Sequence, residues 1–273
     1  MNHSELIRAR RSVRTFDGKS IEPDILQDIV GYAQTADNPY SIPVEWKLLS
    51  TKNDGVSSPV IVGTDTFIAG KMKRLPHSEE AFGYSFEKVV LYAQSLGIGT
   101  TWIAGTMNRS VVEKAMQLRE DEVLPCISPL GYKAGKMSVR ETMMRAGIKA
   151  DTRLDFSSLF FDGSFDKPLS NDAAGELKQP LELVRLSPSA VNKQPCRAVV
   201  DNNCVHFYEK QSKGYVNDSW DTQKIDMGIA MYHFVCGIEE FQKKAEFTIS
   251  DPGIICPKDT LYTGTFMITS ADR

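Results

Sequence analysis

The chain contains an internal repeat, and this repeat constrains its fold more than any other feature. An overlay without gaps, at a shift of 154 residues, places DIVGYAQTADN (28–38) on ELVRLSPSAVN (182–192). A second overlay, at a shift of 143, places FEKVVLYAQSLG (86–97) on IAMYHFVCGIEE (229–240). Identity is slight, but both overlays occur in the same order, as expected for repeated supersecondary units. The sequence therefore predicts two diverged repeats.

Both helix and strand patterns occur along the chain. Helices are predicted at 22–36, 82–97, 109–118, 179–187 and 221–241, and strands at 45–50, 59–63, 124–132, 197–201 and 204–210. The segment 154–170, LDFSSLFFDGSFDKPLS, is rich in Asp, Gly, Ser and Pro and is typical of a connection. We therefore assign the repeats to residues 1–165 and 166–273.

The composition excludes several classes of protein. With 41% apolar and 25% charged residues the chain is globular, and its net charge of -3 does not favour nucleic-acid binding. The polar start and the absence of a long apolar run predict a cytoplasmic protein that does not cross a membrane. Five cysteines without a C-x-x-C pair, and four histidines without ligand spacing, predict no metal site.

The segment RARRSVRTF (8–16) places four arginines and a serine within seven positions. If the first helix ends near Arg11, the β-branched residues that follow are extended and Arg10, Ser12 and Arg14 share one side. Two guanidiniums and a hydroxyl on one side suit a phosphate group. A solvated basic helix end is an alternative, and a nuclear-localisation or nucleic-acid patch is another that the acidic balance weakens.

The segment LSPSAVNKQP (186–195) sets prolines around small side chains and amides. Such a loop could bind a flat polar ligand. It could equally be a helix stop followed by a turn, for which Pro188 and Asn192 suffice.

Together the two segments resemble signatures of the nitroreductase family of flavin enzymes. Its members typically open with an R-x-S-x-R-type segment and carry a P-S-x-x-N-x-Q-P loop, which correspond here to RRSVRTF and PSAVNKQP. In the family, each FMN site of a homodimer uses the arginine segment of one subunit and the loop of the other. Here the first repeat has only the arginines and the second has only the loop. The resemblance implies an α+β nitroreductase-like fold with a central β-sheet flanked by helices, fused as a pseudo-dimer with one surviving FMN site.

The resemblance also implies which residues bind FMN. The arginine segment and a later basic residue would hold the phosphate, the stretch after SLGIGT would approach the ring, and the loop would contact ring and ribityl chain. Arg145 and Lys149 are further basic candidates. The implied binding residues are Arg10, Arg11, Ser12, Arg14, Trp102, Ile103, Ala104, Gly105, Arg153, Pro188, Ser189, Ala190, Asn192 and Gln194.

Two positions depart from the family pattern. Cys196 stands where similar loops often have tryptophan, which affects the packing behind the ring. Ala104 stands where many members have an acidic residue, which affects the nicotinamide pocket.

The implied activity is a ping-pong oxidoreductase reaction. NADH or NADPH would reduce FMN by hydride transfer, and a small-molecule acceptor such as a nitroaromatic or a quinone would then take the electrons. No catalytic side chain is predicted, because the flavin itself carries this chemistry. A flavin-binding or flavin-delivery protein with little turnover is an alternative, as is unusual flavin chemistry such as ring cleavage. As an internal pseudo-dimer, the chain is expected to be a monomer or a weak homodimer.

Overall fold

The computed structural model describes residues 1–215 and 220–270, and it contains two compact units. The first unit is Ala9–Ala150. The second unit is Met1–Arg8 together with Asp151–Arg273. Within the described residues, no helix is both long enough and apolar enough to cross a bilayer.

The first unit is a four-stranded antiparallel sheet with helices. Strand β2 is central, with β1 along one edge and β3 and β4 along the other. After α1 (His3–Ala9), the elements are α2 (Pro23–Thr35), β1 (Glu45–Ser50), α3 (Thr51–Asp54), β2 (Thr66–Lys73), α4 (Ser78–Ser95), α5 (Arg109–Ala115), β3 (Glu122–Val123), β4 (Ile127–Leu130) and α6 (Val139–Gly147).

Helix α4 forms the core of the first unit, because side chains are buried on nearly all of its faces. Its aromatic residues Phe82 and Phe86 pack on Trp46 of β1, with ring centroids 6.0 and 5.1 Å away. The helix ends before Gly97, whose φ of 77° is the left-handed conformation that glycine adopts readily after a helix. A helix enclosed in this way leaves a charged side chain little access to water.

The second unit is a five-stranded sheet in the order β5-β6-β7-β9-β8, in which only the β5–β6 pair is parallel. Its helices α8 and α9 pack closely, since a Cβ at Gly237 would lie 2.6 Å from the Cα of Pro180. The elements are α7 (Phe156–Leu159), β5 (Phe160–Asp162), α8 (Lys178–Leu186), β6 (Cys196–Asp201), β7 (Cys204–Lys210), α9 (Thr222–Glu239), β8 (Lys243–Thr248) and β9 (Thr260–Ser270).

The first residues of the chain belong to the second unit because Glu240 binds them. The amide and the hydroxyl of Ser4 donate to the two carboxylate oxygens of Glu240, at 2.8 and 2.5 Å. Gln179 of α8 donates to the same carboxylate at 2.8 Å.

The two units repeat the same order of elements. Each has a helix, an antiparallel strand pair, an 18-residue helix and a strand antiparallel to the second strand of the pair. These are α2, β1, β2, α4 and β4 in the first unit and α8, β6, β7, α9 and β9 in the second. The expected α+β fold with two diverged repeats is confirmed.

Some predicted elements differ from the structure. The strand predicted at 59–63 is wrong: the segment turns, and only Val62 makes an isolated bridge, to Thr15. Gly63 has a φ of 85°, which ends the extended conformation there. The compact units divide at 150/151 rather than near 165, because β5 pairs with β6.

A buried ion pair in the first unit gives a test of the fold. The Nζ of Lys71 lies 3.0 Å from Oε2 of Glu122, and both side chains are about 5% exposed or less. Hydrogen bonds from Arg119, above all, lower the pKa of Glu122 to about 2. Glu122 therefore stabilises the fold fully above about pH 4.5, its ordinary pKa, and this contribution is lost as the pH falls toward 2.

We expect Glu122→Gln to lower the free energy of unfolding by about 1–3 kcal/mol at pH 7, since it weakens the pairing of a buried ammonium. Urea unfolding between pH 4.5 and 2 should show a shallower pH dependence in this variant than in the unchanged protein. Glu120→Gln, at an exposed neighbouring position, is the control. An unaltered slope in the Glu122 variant would contradict the assignment.

Candidate functional site

The arginine segment is extended and fixed on both sides within the first unit. The amide of Val13 donates to the carbonyl of Thr100 at 2.8 Å, and the amide of Phe16 donates to the carbonyl of Val62 at 2.8 Å. Val13 and Phe16 are buried, each 4% exposed. The core therefore holds the backbone that carries Arg10, Ser12 and Arg14, as expected for alternating residues of an extended segment.

The arginine segment packs closely against two glycines, Gly63 and Gly131. A Cβ on Gly63 would lie 2.2 Å from the carbonyl oxygen of Phe16, and a Cβ on Gly131 would lie 2.6 Å from the ring of Phe16. A side chain at either position would displace the arginine segment.

Helix α6 is tied to the same segment by a hydroxyl. Thr15 Oγ1 donates to Oε2 of the buried Glu141 at 2.7 Å and accepts from the amide of Ser138 at 3.0 Å. Ser138 Oγ also caps α6 by accepting from the amide of Glu141. These contacts position α6, and with it Arg145 near its end, beside the arginine segment.

Three guanidiniums consequently lie close together. Burial lowers the pKa of Arg10, and the charge of Arg145 lowers it further, whereas Glu87 opposes the shift. Burial likewise lowers the pKa of Arg14, opposed by Glu141 and reinforced by Arg145 and Arg10. We call Arg10, Arg14 and Arg145 the arginine cluster. Their mutual repulsion and desolvation are costs that an anion bound among them would relieve.

The arginine segment also has hydrogen-bonding capacity that the protein does not use. Nε and Nη1 of Arg10 and Nε of Arg11 are buried, and within the described part of the chain they have no hydrogen-bond partner. The nearest acid to Arg10 Nε is Glu87, at 3.8 Å, which is an ion pair but too long for a hydrogen bond. Buried donors of this kind fit the oxygens of a phosphate.

Glu87 is a candidate site residue that the sequence reasoning missed. Its side chain is fully buried in α4, where it faces Arg10 and accepts a hydrogen bond from Nε1 of Trp102 at 3.2 Å. It thus brings together the arginine segment and the segment that was expected to approach the flavin ring. Glu87 lies in a helical pattern in which charged residues usually face solvent, so periodicity alone gives no signal for it.

The segment 102–105 runs beside β4 and ends in a turn. Ile103 is buried and exchanges two backbone hydrogen bonds of 2.9 Å with Ile127. Arg109 donates to the carbonyl of Ala104 at 3.0 Å and so fixes the turn. Gly105 is exposed, and a Cβ there would meet no protein atom within 4 Å. The protein alone does not require glycine at this position, so its role beside a ligand stays a prediction.

The loop of the second unit, residues 188–194, has a strained backbone. Val191, Asn192 and Gln194 have φ values of 44°, 59° and 51°. A left-handed conformation costs a residue other than glycine about 1–3 kcal/mol and is unusual for a β-branched one such as Val191. Strain of this kind persists only where surrounding contacts enforce it, and it is common at binding sites.

Side chains within the second unit hold this loop. Oε1 of Gln194 accepts from the amide of Leu154 at 2.9 Å, and the backbone amide of Gln194 donates to Oγ of Ser189 at 2.8 Å. Arg153 donates to Oδ1 of Asn192 at 3.3 Å and to the carbonyl of Leu186 at 3.4 Å. Through these contacts Gln194 and Arg153 brace the loop. Arg153 lies with the loop, and its assignment to a phosphate stays a prediction.

The predicted binding residues thus form two groups, one in each unit. In the first unit Arg10 of the arginine cluster and Trp102 both contact Glu87. In the second unit Arg153, Asn192 and Gln194 are hydrogen-bonded around the loop. Over residues 1–215 and 220–270, no group of three or more His, Cys, Asp or Glu side chains is arranged to hold a metal ion.

Comparison with known proteins identifies the family and the fold of this chain. A family model described as "Putative TM nitroreductase" matches residues 2–238. No curated protein matches the sequence. Among solved structures, a putative nitroreductase from Thermotoga maritima has a TM-score of 0.64 at 18% identity, and the alignment covers 100% of this chain and 95% of that chain. This similarity extends over both units and shows their fold.

Two other structures are similar over part of the chain. A nitroreductase family protein from Clostridium difficile 630 has a TM-score of 0.45 at 17% identity, covering 58% of this chain and 96% of that one. A structure named as an FMN-dependent nitroreductase, from Clostridium difficile R20291, has a TM-score of 0.40 at 17% identity, covering 49% of this chain and 88% of that one.

The contact between Arg10 and Glu87 gives a prediction about the site. Glu87→Leu should lower the free energy of unfolding by about 3–5 kcal/mol, because it leaves the buried guanidinium uncompensated. The double variant Arg10→Met with Glu87→Leu should recover most of that loss, since both buried charges are then gone. Urea unfolding of the two single variants and the double variant measures the coupling. Strictly additive effects would show that the two side chains do not interact.

Proposed function

Since the chain belongs to the family described as "Putative TM nitroreductase", we propose that it is an FMN-dependent oxidoreductase. We propose that it takes electrons from NADH or NADPH and passes them to a small-molecule acceptor such as a nitroaromatic or a quinone. When bound, FMN supplies the electron-transfer chemistry, and the protein supplies binding, orientation and electrostatics.

The observation that carries this proposal is the arginine cluster. Its guanidiniums repel one another in a buried setting, and buried nitrogens of Arg10 and Arg11 have no hydrogen-bond partner among the described residues. A doubly charged phosphate would offset the repulsion and accept those hydrogen bonds. Arg10, Arg14 and Arg145, with Arg11 and Ser12 between them in the chain, are the residues that we assign to the phosphate of FMN.

Two further segments are assigned to the flavin in the same proposal. In the first unit, the backbone of Trp102 to Gly105 is held by Ile127 and Arg109 and is assigned to the ring. In the second unit, the strained loop offers Pro188, Ser189, Ala190 and Asn192. The expectation that one flavin uses residues from both units stays a prediction, and the experiments below test each group separately.

The stoichiometry of bound flavin tests the proposal directly. We expect protein purified without added cofactor to be yellow and to release one FMN per chain on denaturation, identified chromatographically and quantified against total chain. Two FMN per chain would show that the first repeat's counterpart loop, QTADNPYSIP, also binds. No flavin, even after reconstitution with excess FMN, would contradict the proposed function.

Arg14→Ala tests the phosphate assignment. Loss of a charge-assisted hydrogen bond should weaken FMN binding about 10- to 100-fold in a fluorescence titration, with little effect on the fold. Arg8→Ala is the matched control, because Arg8 is exposed and lies six positions earlier in the same basic stretch. Equal FMN affinity in the two variants would remove Arg14 from the site.

Stopped-flow reduction separates an oxidoreductase from a flavin-binding protein. With FMN bound, mixing with NADH or NADPH under anaerobic conditions should bleach the flavin absorbance at a rate that saturates with the reduced nicotinamide. Adding a nitroaromatic or a quinone should then restore the absorbance. If neither nicotinamide reduces the flavin, the protein binds or delivers flavin without turnover, and the proposed activity is wrong.

A further inference from the structure

A buried acid on α9 contacts the strained loop of the second unit. The backbone amide of Ala190 donates to both carboxyl oxygens of Asp226, at 3.0 and 3.1 Å. Asp226 is 5% exposed and lies within α9, four residues after the start of the helix. The loop amide is thereby attached to the most buried helix of its unit.

Other hydrogen bonds of the loop come from the loop itself, from the neighbouring residues 152–154, and from Arg197 of β6, which donates to the carbonyl of Gln194 at 2.9 Å. Gln194 bonds to Ser189 and Asn192, and Asn192 donates to the carbonyl of Thr152 at 3.1 Å. These bonds join one irregular segment to another. Asp226 instead provides an acceptor on a regular, enclosed helix, so it can fix the position of the loop as well as its internal shape.

Asp226 stands in surroundings that are unfavourable to an acid. Burial raises its pKa well above the ordinary value, the hydrogen bond from Ala190 opposes that shift, and the carboxylates of Asp221 and Glu209 reinforce it. An apolar side chain in this helix would avoid the desolvation of a carboxyl group. The favourable contact that accounts for an acid here is the bond to Ala190.

The first unit provides an internal comparison. The overlay that relates α4 to α9 places Gly83 at the position of Asp226, so α4 has no acid there. The counterpart loop is held by its own Asn38, whose Oδ1 accepts from the amides of Tyr40 and Ile42 at 3.2 and 3.3 Å, and by Ser85 of α4, whose Oγ accepts from Nδ2 of Asn38 at 3.1 Å. Within that loop, only Ser41 has a positive φ. The unit with the strained loop thus has an acid at this position of its long helix, and the unit without that loop motif does not.

We infer that Asp226 is a positioning residue, which holds the amide of Ala190 so that residues 188–194 keep their strained, binding-competent conformation before any ligand arrives. The inference rests on the proposed function in naming FMN as the ligand of the loop. The conformation itself is a property of the flavin-free protein and is measurable without flavin.

Three variants test the inference. Asp226→Leu removes the acceptor and the buried acid, and Asp226→Asn keeps one acceptor oxygen of similar shape. Met227→Leu changes the adjacent, fully buried residue of α9 without touching the loop. For each we would measure urea unfolding, hydrogen exchange of a peptide covering 187–195 in flavin-free protein, and FMN affinity.

We expect the Leu variant to be as stable as the unchanged protein, while its loop exchanges about tenfold faster and its FMN Kd rises about tenfold, since the competent loop becomes a minor population. The Asn variant should stay within about threefold of the unchanged protein in both loop exchange and Kd. A merely structural role would lower stability and FMN affinity together. Unchanged stability with a weaker FMN affinity is therefore the distinguishing result.

Normal loop exchange and normal FMN affinity in the Leu variant would overturn the inference. If that variant does not fold, Ala190→Pro deletes the same donor from the loop side, where Ser189 is already extended at φ -146° and ψ 159° and accepts a following proline. Faster exchange of residues 191–195 in Ala190→Pro supports the inference, and unchanged exchange opposes it. If the unchanged protein binds no FMN, the proposed function fails, while the exchange measurements still decide the role of Asp226.

Discussion

An acid buried inside a helix must find a donor within the protein, and the candidate binding segments of both units depend on this constraint. Helices α4 and α9 bury side chains on nearly all faces, so neither Glu87 nor Asp226 is solvated by water. Glu87 faces a guanidinium and an indole N–H, and Asp226 faces a backbone amide. Because the helices are fixed by the apolar core, each acid determines where its partner segment lies.

The arrangement carries costs that the proposed binding site would account for. Guanidiniums are gathered around the buried side chain of Arg10, and three consecutive or nearly consecutive residues of a loop adopt the left-handed conformation. Neither feature stabilises the fold. Both are forms of preorganisation, in which the energy of ordering the site is spent during folding and not again when a ligand binds.

The two repeats differ most where their long helices carry these acids. The same overlay that sets Gly83 opposite Asp226 sets Ala230 opposite Glu87, so each helix has an acid where the other has a small residue. The order of strands and helices remained common to both units, since it follows from apolar periodicity and antiparallel pairing. Single substitutions in an otherwise apolar helix are therefore enough to give two units of one architecture different supporting contacts.

By itself the sequence determined the repeat, the two motif segments and about half of the helices and strands, but not the central strand β2 or the strand β9. Helix and strand periods are local, and so β1, β7 and α2 appear close to their predicted bounds. The segment 59–63 shows the limit, because Gly63 ends an apolar run that composition alone assigns to a strand. Only the tertiary structure revealed Glu87, Glu141 and Asp226, since their partners lie 15 to 126 residues away in the chain. Such pairs depend on which helix faces are enclosed, and packing decides that.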